Sequence, residues 1–500
     1  MLQVSLKKNV IANYIGQFYS IFIGVFLLPF YLQYLGAEAY GLVGFFTMFA
    51  SWMMLLDAGL SPTLSREAAR LKDKEGGLKE LKVLIRSIET LFLIVSLIIV
   101  ITMFYSSDFI AKSWLDIKEI SFDVVIDCIK LMGIMFVLRW FVGLYQGAVI
   151  GFEQQVWLNI YKVIINTLKF VGAFLLIKYV TNDIFHFFLY QLIVGLIEFF
   201  VIRYKVYSLL PKTNFIFPTL VPLKQIAPFA LGIAYTAGIW VAFTQIDKLL
   251  LSHYIPLSEY GYFTLVVVVS GAITQLSTPI NQAILPRMTS LLSNNKESEM
   301  LEVYHKSTQF ISIIMFSVIG IIGYFSYELL YAWTGDIKAS NWAAPVLFWY
   351  ALGNGILAIL AFQYFLQFAH GNLKYHVRFN TVFPIISLPI IFYAVSNFGA
   401  MGAAITWFGI QLVTFLLWPP FVHSKFASGI HVDWIFKDIL PAVLMTFVFI
   451  TIISQIGVDF SSLNRLETIL ILFGYGVLLL ICNALVYKNV RDIIKKRLFK

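Results

Sequence analysis

The property that most constrains this chain is a succession of apolar runs, each about as long as a bilayer is thick. A hydrocarbon core of about 30 Å takes roughly 20 apolar residues of helix. Runs of that kind follow one another from residue 10 to residue 487 with short polar punctuation between them. The stretches 91–105 and 469–486 hold no charged residue at all. A water-soluble chain of 500 residues would need a charged exterior, yet here 13% of residues are charged and 60% hydrophobic. Soluble domains run at about 25% charged and about 45–50% apolar. Lipid must be the solvent for most of this chain.

Measured by that ruler, the sequence predicts an all-α integral membrane protein with about fourteen transmembrane helices. Six lie at 10–34, 40–63, 84–105, 124–150, 157–179 and 184–206, and six more at 226–254, 260–285, 304–333, 342–369, 375–395 and 401–422. Two further spans follow at 434–456 and 468–487. Between the groups of six, Pro211, Pro218 and Pro222 stand with Lys212 and Lys224 in a segment that suits a linker along the cytoplasmic surface. The expected organisation is an N-terminal lobe over 1–207, a linker over 208–224, a second lobe over 225–430, and two additional helices with a basic tail over 431–500.

Charge placement provides an independent test of this plan. The chain carries 36 Lys and Arg against 27 Asp and Glu, a formal net charge of +9. The cations concentrate in alternate loops: Arg66 to Arg86, Arg203 and Lys205, Arg287 and Lys296, Lys374 and Arg378, Lys425 and Lys437, and Lys488 to Lys500. The intervening loops hold acids such as Asp108, Asp116, Glu119, Glu328, Asp336, Asp459 and Glu467. This is the positive-inside pattern, not a nucleic-acid-binding face, and it puts both termini in the cytoplasm. The connection at 151–156 fits poorly, because it should be cytoplasmic yet holds Glu153 and no cation. Lys7 and Lys8 precede an apolar run too long for a cleaved signal, so the first helix is expected to remain as an anchor. Cys128 and Cys482, the only cysteines, sit in separate apolar runs and outline no disulfide or metal framework.

The two groups of six share a hairpin. Residues 34–41 read YLGAEAYG and 254–261 read YIPLSEYG, with the Tyr and Tyr-Gly positions at equal spacing, and the following helix ends in each case at an arginine, Arg66 or Arg287. Six spans separate the copies, which predicts parallel repeats related by an axis along the membrane normal.

An ionisable group at membrane depth costs about 2.5 to 3.5 kcal/mol on insertion scales, so each one present should face a cavity or a partner. Lys162, Asn166 and Lys169 fall at i, i+4 and i+7 of the fifth span and share one helical face. They read either as two cations and a polar partner lining a wet cavity or, for the lysines, as ion pairs with Glu198 or Asp57. Arg139 in the fourth span reads as a cavity cation or as the partner of Asp57. Gly143, Gly147 and Gly151 on the same helix suit close helix packing. Lys248 of the seventh span joins the candidate substrate contacts, and Asp57, Glu198 and Asp247 are candidates for gating or ion coupling. Adjacent residues on a helix point about 100° apart, so Asp247 and Lys248 need not pair. Polar stripes at Asn9, Asn13 and Gln17, and at Gln363, Gln367 and His370, suit interhelical hydrogen bonding as well as a lumen. No nucleotide, metalloprotease or serine-hydrolase motif occurs, and no cofactor is called for. The reading is therefore a transporter and not an enzyme.

With these residues in hand, the chain resembles the polysaccharide-transport branch of the MOP (multidrug, oligosaccharidyl-lipid, polysaccharide) exporter superfamily, the Wzx-type flippases. The resemblance rests on Lys7-Lys8-Asn9, Pro29 with Tyr40-Gly41, Asp57-Ala58-Gly59-Leu60 leading to Arg66, and the segment 247–261, and it covers residues 4–425. It implies a V-shaped pair of six-helix lobes working by alternating access in a bacterial cytoplasmic membrane. The implied cargo is a polyprenyl-pyrophosphate-linked glycan, such as an O-antigen or other surface-polysaccharide repeat unit, moved from the cytoplasmic to the outer leaflet. Membrane lipid, protons, sodium or the membrane potential as drive, and other polysaccharide-assembly proteins are the implied partners. Many Wzx-type proteins have twelve helices, so the two extra ones leave the subfamily open. A lipid II flippase of the MurJ type and a MATE-type multidrug or cation antiporter are the transport alternatives, and a membrane enzyme of polysaccharide assembly is the remote one.

Overall fold

The computed structural model describes residues 6–57, 59–212 and 217–492, with side chains for all of these except residues 6–15, 54, 56, 279 and 281–283. The side chains of Lys7, Lys8, Asn9 and Asn13, the residue Ala58 and the tail beyond residue 492 lie outside the described residues. Among the described residues the chain is helical throughout. One isolated bridge, Asp116 with Pro256, is the only strand-like pairing there.

In chain order the helices are α1 (Leu6–Leu35), α2 (Ala37–Met53), α3 (Leu60–Leu71), α4 (Gly77–Phe109), α5 (Phe122–Gly151), α6 (Gln155–Thr167), α7 (Ala173–Tyr179), α8 (Ile184–Ser208) and α9 (Leu220–Tyr254). There follow α10 (Leu257–Ser293), α11 (Glu297–Tyr324), α12 (Ser326–Thr334), α13 (Ile337–Ala369), α14 (Lys374–Phe426), α15 (His431–Asp433), α16 (Leu440–Ile456) and α17 (Arg465–Val486). Eleven helical stretches among the described residues are long and apolar enough to cross a membrane. One of these, α14, is two helices joined at Gly399, where φ is 56°. With α5 and the interrupted α2–α3 segment, the fold accommodates about fourteen spans, as the sequence predicts.

The outer surfaces have the character lipid requires. On α1, Phe18, Phe22 and Phe26 are more than half exposed and stack in a ladder with centroids 6.3 and 5.8 Å apart. On α4, Leu93, Ile94, Leu97 and Ile98 are likewise exposed. Leaving a side chain of this size in water forgoes about 1.5 to 3 kcal/mol, a penalty absent in hydrocarbon.

The second span departs from the expected continuous helix. It breaks after Met53 into a short 3-10 turn, and α3 restarts after Gly59, whose φ of 69° favours glycine. The break strands the first backbone N–H groups of α3. The Asp57 carboxylate takes one of them up, accepting from the Ser61 N–H at 3.1 Å and from its hydroxyl at 2.6 Å. α3 then lies against α5, where a Cβ on Gly147 would collide with the Ser61 carbonyl oxygen and one on Gly151 with that of Ser65. The glycine spacing read from the sequence is thus a packing surface.

The chain divides into two compact units, residues 1–261 and 262–500. In the first, α9 packs on α2, α3 and α4, so this unit reaches beyond the Pro-rich segment. The described ends of that segment are tied to α4: Lys82 donates to the Pro211 carbonyl and the Thr219 N–H to the Ser87 hydroxyl, both at 3.0 Å. The two hairpin copies meet here, since a Cβ on Gly41 would strike the Leu257 carbonyl and one on Gly261 the Ala37 carbonyl. The paired tyrosines Tyr40 and Tyr260 are both buried. Beside them, the buried Glu38 carboxylate accepts the N–H groups of Lys118, Glu119 and Ile120 at 2.5, 2.7 and 2.8 Å, which pins the loop between α4 and α5. Glu153, the misfit in the charge pattern, pairs with Lys72 of the neighbouring basic loop at 2.9 Å.

In the second unit, α11 packs against α13, α16 and α17. Asn483 of α17 donates to Ser317 of α11 at 2.9 Å and to Thr446 of α16 at 3.0 Å, which fastens the last two helices to α11.

Gly147→Ala forces a Cβ against backbone that has no rotamer to move, at a cost of about 1 to 3 kcal/mol. It is expected to lower the melting temperature of the detergent-purified protein. Gly143→Ala, whose nearest neighbour would be the Ser61 hydroxyl at 3.8 Å, should leave it unchanged.

Candidate functional site

The fifth span is not a uniform α-helix. Between α6 and α7 it widens into a π turn over Leu168–Gly172, which contains Lys169. A π turn disturbs the usual backbone ladder, and such turns are frequent at functional positions. In hydrocarbon the loosened carbonyls need new donors, and neighbouring helices provide them. The Tyr190 hydroxyl donates to the Leu168 carbonyl at 2.8 Å, the Gln191 amide to that of Lys169 at 2.9 Å and the Tyr31 hydroxyl to that of Phe170 at 2.7 Å. α1 and α8 therefore hold the turn from either side.

Held in this way, the half-buried Lys169 ammonium forms an ion pair with Glu198 of α8, whose side chain is 12% exposed. The backbone carbonyl of Glu198 is fixed by the Tyr161 hydroxyl at 2.8 Å. Two more cations surround the pair. Lys162 is half-buried within electrostatic reach of Glu198. Arg139, exposed on α5, lies within electrostatic reach of Lys169. Neither makes a hydrogen bond or a salt bridge to another side chain among the described residues. Two cations thus lie by the Glu198 carboxylate, and a third, Arg139, stands near Lys169. Removing one member of a buried ion pair costs about 3 to 5 kcal/mol because the other is left uncompensated, so the Lys169–Glu198 pair holds α8 against the π turn. Lys162 and Arg139 have no such fixed task and leave the cluster electropositive.

The other candidates fall elsewhere. Asn166 donates to Ser20 of α1 at 2.8 Å, which makes it a helix-to-helix bond. Asp57 caps α3 and does not pair with Arg139, so that alternative falls. Asp247 and Lys248 do pair, at 3.1 Å, because the flexible lysine stem bends back and also donates to the Thr244 carbonyl at 2.7 Å. The sequence alternative of an ion pair for Lys169 thus holds, with Glu198 as partner. Gln363 and Gln367 are buried within the second unit. Gln363 accepts from the Tyr304 hydroxyl at 3.0 Å, and that hydroxyl also meets His423 at 2.8 Å. Gln367 donates to the Gln363 carbonyl at 2.9 Å.

Two polar clusters escape the sequence reading. Buried Glu89 on α4 accepts from the hydroxyls of Tyr145 and Tyr207 at 2.5 and 2.7 Å. In the second unit Asp438 holds His305, and also Gln309 at 2.8 Å. Both acids stand at ends of apolar spans, where a carboxylate is ordinarily a wet terminus. Only the tyrosines and histidines brought from distant helices reveal them as buried. Among the described residues, no three His, Cys, Asp or Glu side chains gather to hold a metal ion.

A family described as polysaccharide biosynthesis protein matches residues 6–292. Among solved structures, the lipid II flippase MurJ in an inward closed conformation superposes with a TM-score of 0.74 at 15% identity, covering 98% of this chain and 99% of that one. An inward-facing MATE-family multidrug resistance transporter of the MOP superfamily gives 0.60 at 17% identity, over 83% of this chain and 96% of its own. A MOP superfamily transporter from Pyrococcus furiosus gives 0.51 at 15% identity, over 83% and 93%. No curated protein matches. With the fold of MOP superfamily transporters and a family match over more than half its length, this multi-pass membrane protein belongs to the polysaccharide biosynthesis protein family.

Proposed function

We propose that this protein is a flippase carrying a polyprenyl-pyrophosphate-linked oligosaccharide, the repeat unit of a surface polysaccharide, from the cytoplasmic to the outer leaflet. The observation that carries the reading is the excess of cations beside the π turn: Lys169 and Lys162 lie by the Glu198 carboxylate and Arg139 stands near Lys169. A pyrophosphate stripped of water in hydrocarbon faces a barrier of tens of kcal/mol, on the order of the Born cost of a buried ion. Fixed cations along the path replace part of that lost hydration, while the prenyl chain stays in lipid. A carrier of cationic drugs needs carboxylates in that place. In this reading Lys162 and Arg139 meet the pyrophosphate, Lys169 is shared between it and Glu198, and the Asp247–Lys248 pair is a gating contact.

A second reading within the same chemistry is lipid II itself, which is also a glycan on a prenyl pyrophosphate. It is favoured by the superposition with the lipid II flippase, which extends over 98% of this chain and so takes in the last two helices. Depletion of the protein distinguishes the two: a surface-polysaccharide precursor accumulating at the cytoplasmic face supports the first reading, and lipid II accumulating there supports the second. The outward passage of two negative charges from an inside-negative cell is favoured by about 2.3 kcal/mol per charge per 100 mV. The potential therefore serves as a drive without an ATPase.

Arg139→Ala should lower headgroup translocation in proteoliposomes by about tenfold, the effect of losing roughly 1.4 kcal/mol of charge compensation, with no change in melting temperature. Lys169→Ala should lose both translocation and stability, because Glu198 is left buried and alone, while Lys169→Arg keeps most of both. Full translocation by Arg139→Ala would remove the cation cluster from the path. Collapsing the membrane potential and the ion gradients together is expected to slow translocation, and an unchanged rate would rule out both as the drive.

A further inference from the structure

Away from the π turn, the first unit carries a second basic feature that the proposed transport does not use. Arg86, on the third turn of α4, and Arg203, near the C-terminus of α8, meet because these two helices run in opposite directions, and both stand beside the basic loops that the charge pattern assigns to the cytoplasmic side. α5 packs against both α4 and α8 and contributes buried Tyr145 beneath them. The two guanidinium groups converge on one ring, with Arg203 5.1 Å and Arg86 5.5 Å from the centroid of Tyr207. A cavity of about 500 Å³ opens there, lined by Arg86, Phe200, Arg203, Tyr204 and Tyr207, within the usual size range of small-ligand sites.

Charge and exposure together specify the occupant. Buried Glu89 stands below Arg203 at 3.9 Å, with its oxygens bound by the Tyr145 and Tyr207 hydroxyls. One carboxylate under two guanidiniums leaves one positive charge at the mouth of the cavity. The rim is aromatic and open: Phe200 is 59% and Tyr204 78% exposed, continuing the exposed apolar stripe of Ile193, Leu196 and Ile197 along α8. Tyrosines and arginines at the foot of a lipid-facing apolar stripe sit where headgroups lie, and the planar guanidinium fork matches a phosphate oxygen pair. A free anion in water would gain nothing from the stripe, whereas an acyl chain attached to the phosphate would lie along it.

We propose that the Arg86–Arg203 cavity is a binding site for the headgroup of an anionic phospholipid of the cytoplasmic leaflet, with an acyl chain along α8. The site is distinct from the cluster at Lys169 and does not depend on the identity of the flipped glycan. Native mass spectrometry of the delipidated, full-length protein titrated with phosphatidylglycerol or phosphatidylcholine tests it. The wild type should retain phosphatidylglycerol in preference to phosphatidylcholine. Replacing both arginines by glutamine removes two interfacial cations and should weaken phosphatidylglycerol retention by about tenfold or more, leaving phosphatidylcholine unaffected. Because that change also uncovers Glu89, Tyr204→Ala provides a second reading: it touches only the exposed rim, and should weaken phosphatidylglycerol about threefold with no loss of melting temperature. Undiminished phosphatidylglycerol preference in the folded variants overturns the proposal. So does displacement of bound phosphatidylglycerol by inorganic phosphate, which would identify a site for free anions.

Discussion

A bilayer interior has no water to satisfy a loosened backbone group or a lone charge, and the irregular features of this protein follow from that single constraint. Where the fifth span widens into a π turn, three carbonyls are met by Tyr31, Tyr190 and Gln191 from the flanking helices. Where the second span breaks, the Asp57 carboxylate takes up an N–H group that the break sets free. Where a lysine enters the apolar interior, Glu198 meets it. Each departure from a plain helix is thus bound to a partner on another helix or within its own turn, and the bonds at the π turn fix α1 and α8 beside it.

The cluster differs from an ordinary structural ion pair by its stoichiometry. One carboxylate balances one ammonium, and the positive charge of Lys162 and Arg139 remains. In a medium of low dielectric that surplus is expensive, and the proposed anionic cargo would relieve it. The Arg86–Arg203 pair over Glu89 has a similar makeup near the ends of α4 and α8, with two cations beside a single buried acid.

Repetition within the chain also has a physical consequence. Gly41 and Gly261 occupy equal places in the two hairpin copies, and each lies against a carbonyl from the other copy, Leu257 or Ala37. Only the absence of a side chain at both positions allows that approach, so the two matching glycines both serve a backbone contact.

Much of the fold was legible from residue types because a bilayer imposes one length and one polarity on every span. About fourteen helices and the alternation of basic loops follow from hydropathy and charge alone. The packing role of Gly147 and Gly151 was legible too, since four-residue spacing puts them on one face. The break at Asp57 and the π turn at Lys169 were not, because both sequences are apolar enough to continue as helix and their irregularity is stabilised by residues of other helices, Tyr31, Tyr190 and Gln191, or by a local cap. The partners of the charges were equally hidden: periodicity assigns Lys169 to a face but not the helix opposite it, and Glu89 looks like a wet helix end until Tyr145 and Tyr207 close over it. The sequence by itself determined the solvent and the approximate span count, which are sums over local residue properties. Only the tertiary structure decided which charges are compensated and which are left over, because compensation is a matter of distance between helices that the chain order does not contain.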